Sequence, residues 1–87
     1  MQNKNFRKQL LLLPNNSYYV MYKNKKYLLT KQTLLEGKLI KVYAKCLSMC
    51  DIVSGNYYPN IKEGLLKPCE MSDEKVIHFI INLEVLS

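Results

Sequence analysis

Two apolar and aromatic runs, Ser17–Tyr22 and Tyr27–Thr30, flank the polar stretch Lys23-Asn24-Lys25-Lys26. Tyr and Val favour extended backbone, and a short connection containing Asn lets two such runs fold back on each other, so the segment predicts a β-hairpin. A lone hairpin is marginal in water, so the remaining chain must extend the sheet or cover it. Lys38–Lys45 meets the first need. After Gly37, Ile40, Val42 and Ala44 fall on one strand face, and Leu39, Lys41, Tyr43 and Lys45 on the other. One face is wholly apolar and the other half polar, the pattern of a sheet with one wet side. Between hairpin and strand, Lys31–Gly37 reads as a single helical turn or a loop. A fourth short strand is expected through Asp51–Val53 or Tyr57–Tyr58, with Ser54-Gly55-Asn56 as its turn.

The C-terminal segment, residues 71–87, carries two competing periods. As a helix, Ser72 is a good N-cap and Asp73 and Glu74 complement the helix dipole. Val76, Phe79, Ile80, Leu83 and Leu86 then form one stripe, with Lys75, His78 and Asn82 on another face. As a strand, Ile77, Phe79, Ile81, Leu83 and Val85 alternate without a break. The capping signal favours a helix over Ser72–Leu83. The predicted fold class is therefore α+β, a small antiparallel sheet of three to five strands covered by a C-terminal helix. The alternative is an all-β mini-barrel in which this segment is the last strand.

The chain of 87 residues makes one domain, 1–87, with no repeat or linker. Apolar residues at 48% and charged residues at 23% suit a folded chain and exclude a disordered one. The basic start before Leu10–Leu13 mimics a secretory signal, but Pro14 ends that apolar run well short of the ~7–15 residues a signal needs. No apolar stretch approaches a membrane span, so no membrane partner is expected. Cys46, Cys50 and Cys69 are odd in number and lack a disulfide spacing, which suits reduced thiols and a cytoplasmic location.

Charge is unevenly placed. Residues 1–45 hold ten Lys/Arg against one acid, Glu36, for +9; residues 46–87 hold three Lys against six acids, for −3. A field of that kind steers acidic partners. The candidate partner-binding residues are Tyr22, Lys23, Lys25 and Lys26 of the hairpin with Lys41 and Lys45 of the next strand. Tyrosines beside lysines on a sheet are what single-stranded nucleic-acid readers use, although cross-strand Tyr pairs also stabilise hairpins unaided. The chain has a single arginine, Arg7, whereas planar recognition of phosphate favours Arg.

Chemistry-bearing sets are sparse. Cys46, Cys50, Cys69 and His78 would supply four zinc ligands, but C-x3-C departs from the common C-x2-C spacing, and no metal or other cofactor is expected. Cys69 beside a helix N-terminus with His78 as base would make a small Cys-dependent enzyme. On a helix, however, the two lie roughly 9 Å apart along the axis. The segment Gly55–Glu70, with its Tyr pair and prolines, reads as a binding edge or as a connection packing Tyr57, Ile61, Leu65 and Leu66 beneath the sheet. The expected function is non-catalytic: a binding module, inhibitor or accessory factor, of the kind phages also encode. It would engage an acidic protein surface or a nucleoprotein complex through its basic half, with direct nucleic-acid binding as the alternative.

Overall fold

The computed structural model describes residues 4–61 and 64–86. In chain order it has α1 (Lys4–Leu12), β1 (Asn16–Tyr22), β2 (Lys25–Leu34), β3 (Leu39–Cys46), β4 (Ile52–Tyr58), β5 (Leu65–Pro68), α2 (Asp73–Asn82) and β6 (Glu84–Val85). The strands form one antiparallel sheet in the order β5-β4-β3-β2-β1-β6. β1 to β5 are a meander, and the two-residue β6 returns to the far edge beside β1. The fold is α+β. The sheet is open and the C-terminal segment helical, so the mini-barrel alternative is excluded.

The hairpin turn is tighter than the four residues expected. Only Lys23 and Asn24 make it, with φ of 49° and 62°, the left-handed pair that matches the twist of flanking strands. Lys25 and Lys26 therefore belong to β2, opposite Tyr22 and Met21. β2 continues to Leu34, through residues expected to be loop or helix. The reversal comes at Leu35, Glu36 and Gly37, at φ of 53°, 56° and 88°.

Ser54-Gly55-Asn56 is not a turn but the middle of β4. Gly55 is there because β5 crosses close by: a Cβ on it would sit 3.1 Å from the Pro68 Cα and 3.2 Å from the Lys67 carbonyl oxygen. Gly64, at φ +105°, has a stricter reason, since a Cβ there would overlap the Tyr57 hydroxyl.

α2 starts where the cap motif places it. The Ser72 hydroxyl accepts the Lys75 backbone N–H at 3.1 Å, and Val76, Phe79, Ile80 and Leu83 are buried. The helix ends at Asn82, so Leu86 is not part of its stripe. Leu83 turns to extended backbone, and Val85 and Glu84 pair with Val20 and Met21.

α1 is an element the sequence reading did not assign. Phe6, Leu10 and Leu13 recur at i, i+4 and i+7 and are all buried, and Pro14 stops the helix. Its C-terminal carbonyls are satisfied from another element. The buried Lys31 ammonium on β2 donates to Leu10 O and Leu13 O, each at 2.7 Å, placing a cation at the negative end of the helix dipole. Arg7 ties α1 to the β4–β5 connection by donating to Pro59 O at 3.0 Å.

Both helices cover the same face of the sheet. The buried strand residues, among them Val20, Tyr27, Leu29, Ile40, Val42, Ala44, Val53, Tyr57 and Leu66, share that face by register. Phe6 packs edge-on against Tyr57 at 5.4 Å, and Tyr22 and Tyr27 do so against Phe79 at 4.9 and 5.1 Å. Each fully buried Leu, Ile, Val or Phe contributes roughly 1.5–3 kcal/mol, so this layer holds the fold together. The opposite face has no covering element among the described residues.

Candidate binding face

The open face is built by strand alternation, and its composition can be laid out row by row from the register. Glu84 of β6, Met21 and Lys26 form the first row. Tyr19, Leu28, Lys45 and Ile52 form the next, followed by Ser17, Thr30, Tyr43 and Ser54. Gln32, Lys41, Asn56 and Lys67 come next, and Leu34, Leu39, Tyr58 and Leu65 close the face. Tyr19 and Tyr43 are each 46% exposed, and Leu28 and Ile52 also meet solvent. The Lys26 ammonium lies 4.5 Å from the Tyr19 ring centroid, in range for a cation–π contact. No residue of β1 to β5 is Asp or Glu, so Lys26, Lys41, Lys45 and Lys67 have no opposite charge within those strands.

A shallow cavity of about 410 Å³ opens on this face where Tyr43 and Lys41 wall off smaller neighbours, Thr30, Ser54 and Asn56, with Cys69 at the rim. Cys69 is held there because its backbone N–H donates to Ser54 O at 3.1 Å. Among the described residues, the side chains of Gln32, Lys41, Tyr43, Ser54 and Asn56 make no hydrogen bond, whereas Thr30 is paired with Ser17 at 2.8 Å.

The six residues singled out from sequence do not form one surface. Lys26, Lys41 and Lys45 lie on the open face. Tyr22 and Lys25 point to the helix-covered side, and Lys23 sits in the turn, its ammonium 5.5 Å from the Tyr22 ring. Tyr22 is half-buried: it packs on Tyr27, His78 and Phe79, and its hydroxyl meets His78 Nδ1 at 2.5 Å. The tyrosines that meet solvent on the sheet are Tyr19 and Tyr43. Their signal was present in the alternation itself, which sets Tyr19 opposite in parity to Tyr18, Val20 and Tyr22. Lys67 was missed because β5 was not assigned.

A second polar cluster lies at the hairpin end, around a cavity of about 490 Å³ lined by Tyr22, Lys25, Tyr27, Asp51, Lys75 and His78. The Tyr27 hydroxyl donates to Asp51 Oδ2 at 2.6 Å, and Lys75 donates to Oδ1 at 2.7 Å. Hydrogen bonds from Lys75 and then Tyr27 hold the Asp51 carboxyl below its usual range; burial, followed by Asp51 itself, pushes the Tyr27 hydroxyl well up. Each group in this chain is already bonded to a neighbour, so the cluster braces α2 against the β3–β4 loop.

Cys46 is buried and Cys50 and Cys69 are exposed, all as free thiols. Cys69 lines the open-face cavity while His78 lines the one at the hairpin end, so the two are not paired. Among the described residues no group of His, Cys, Asp and Glu is placed to hold a metal ion. No helix among them is long and apolar enough to cross a membrane. Comparison of the chain with known protein families, with curated proteins and with solved structures finds no match.

Proposed function

We propose that the protein is a non-catalytic, cytoplasmic binding module whose open sheet face engages an acidic macromolecular surface. The observation that carries this is the pairing of four lysines with two exposed tyrosines on strands that contain no acid. Stability does not account for it. Exposed lysines gain little from the fold, and like charges on one face repel, so a predominantly basic surface costs stability that an anionic partner would return. The aromatic rings and Leu28 and Ile52 add apolar contact area that lysines alone lack. The free thiols suit a reducing compartment.

The test is the double variant Lys41→Glu with Lys45→Glu. Its urea midpoint should equal or slightly exceed that of wild type, because both residues are exposed. Its affinity for an anionic partner should fall tenfold or more, mainly through slower association. The partner is sought by pull-down at low and high salt, with and without nuclease. A variant that binds the partner as wild type does would remove the open face as the binding surface.

A further inference from the structure

We infer that the open-face cavity between Tyr43, Lys41 and Asn56 is a slot for one base of a single-stranded nucleic acid. The inference rests on the anion-binding reading above and names the partner class. Charge complementarity supplies the first argument: Lys26, Lys41, Lys45 and Lys67 stand on the open side of β2 to β5, strands without an acid, and Glu84 lies only at the β6 edge, as a phosphate-tracking surface allows. Ring availability supplies the second. Tyr19 and Tyr43 lie two strands and one row apart, roughly 12 Å at ordinary strand spacing, so each ring can stack its own base.

The cavity decides between a nucleic acid and an acidic protein. A carboxylate-rich partner accepts hydrogen bonds only and needs donors alone. What the face offers instead is two carboxamides, Gln32 and Asn56, flanking Lys41 in one row, with the Ser54 and Tyr43 hydroxyls in the next. Each carboxamide carries a donor beside an acceptor, the combination that pairs with the exposed edge of an unpaired base, which presents both. None of these groups is bonded within the protein among the described residues. At about 410 Å³ the cavity is in the range of small-ligand sites, and it is open to the face along which the backbone would run.

The experiment is fluorescence anisotropy with short single-stranded oligo-dA, oligo-dC and oligo-rA, a duplex of mixed sequence, and a polyglutamate peptide of equal charge. The expected result is tight binding to the single strands, weaker binding to the duplex, whose base edges are paired, and little to polyglutamate. Four neutralised phosphates predict that log K falls with log salt at a slope of about −3. Tyr43→Ala should weaken oligo-dA binding by about five- to a hundredfold. Asn56→Ala with Gln32→Ala should narrow the preference for single strands over the duplex while leaving the salt slope unchanged. All these residues are at least partly exposed, so unchanged urea midpoints establish that the variants fold. If polyglutamate and the oligonucleotides bind alike and Tyr43→Ala has no effect, the base slot is overturned while the anion-binding face stands. If no anion binds and the Lys41/Lys45 reversal leaves the pull-down unchanged, both readings fall.

Discussion

Replacing Lys31 with Met removes the buried cation that closes the C-terminal end of α1 while keeping most of the side chain's length. Two carbonyl oxygens, Leu10 O and Leu13 O, then lose donors at 2.7 Å. A hydrogen bond to a charged group contributes about 1.5–3 kcal/mol, and a carbonyl left buried without a partner costs about 1–3 kcal/mol. Against this stands the relief of no longer burying an ammonium, which takes back several kcal/mol. The expected net loss is about 2–3 kcal/mol. That is a large part of the roughly 4–13 kcal/mol that a chain this size commands. For a domain of this length it lowers Tm by roughly 8–20 °C. The assay is urea unfolding followed by far-ultraviolet circular dichroism. A lower midpoint at unchanged slope means that α1 stays docked; a lower slope means that it has come away from the core in the native state. Burial holds the Lys31 ammonium below its ordinary pKa. The unfolded chain therefore binds the extra proton in the window between that depressed value and the ordinary lysine value of about 10.4. Through that window wild type gains stability on Lys31→Met as pH rises, and the gain is lost again as pH falls through the folded value. A Met variant as stable as wild type at pH 7, with no divergence at alkaline pH, would refute the capping role.

Four further outcomes follow from single side chains. Ser72→Ala should cost about 1 kcal/mol through the lost cap on Lys75 N–H, read as a shift in the unfolding midpoint. Gly64→Ala should cost at least about 2 kcal/mol, because Gly64 has positive φ and its new methyl would displace the Tyr57 hydroxyl; a neutral result would contradict that packing. Asp51 has a depressed carboxyl pKa, so its contribution is fully present above the ordinary value of about 3.9 and disappears as pH falls through the folded one. Its partner Lys75 is 43% exposed, so Asp51→Asn should cost no more than about 1 kcal/mol at pH 7 and make the acid limb of the stability profile shallower. Lys26→Glu should weaken partner binding more than Lys25→Glu, since the two neighbours project from opposite faces of β2; equal effects would return the binding surface to the hairpin tip.

The strands were legible wherever alternation was clean. Ile40, Val42 and Ala44 are buried and Lys41, Tyr43 and Lys45 exposed, as their parity implies. Ser72 with Asp73 and Glu74 located α2 because a cap is a local feature whose chemistry does not depend on the rest of the fold. The readings that failed depend on distant partners. Gly55 looks like turn punctuation until β5 is laid across it, and β5 cannot be placed from four residues ending in proline. α1 was legible in Phe6, Leu10 and Leu13, but its C-terminal cap comes from Lys31, twenty-one residues after Leu10, so no local stop signal beyond Pro14 marked it. The candidate site suffered in the same way. Charge counts cannot tell which face a lysine takes, and they include Lys31, which is buried.

Burying Lys31 and turning Lys25 away from the open face changes what the charge imbalance means. Along the chain the split is N-terminal against C-terminal; in space it is sheet face against rim. Asp73 and Glu74 stand in the first turn of α2, Asp51 is in the loop before β4, Glu70 follows β5, and Glu84 is on the two-residue edge strand. Of these, Glu84 marks the β6 edge of the open face, and no acid lies within β1 to β5. A polyanion approaching at the β6 edge meets Glu84, while one approaching the open side of β2 to β5 meets four lysines. At physiological salt the screening length is about 8 Å, so only charges close to the docking surface matter, and the split acts as an orienting field during encounter. Packing and recognition are thereby assigned to opposite faces of the same strands. The helix-covered face fixes the register, and the register fixes which lysines and tyrosines share the open one. A substitution at Tyr43 or Lys41 can thus change what is bound without touching what holds the sheet together.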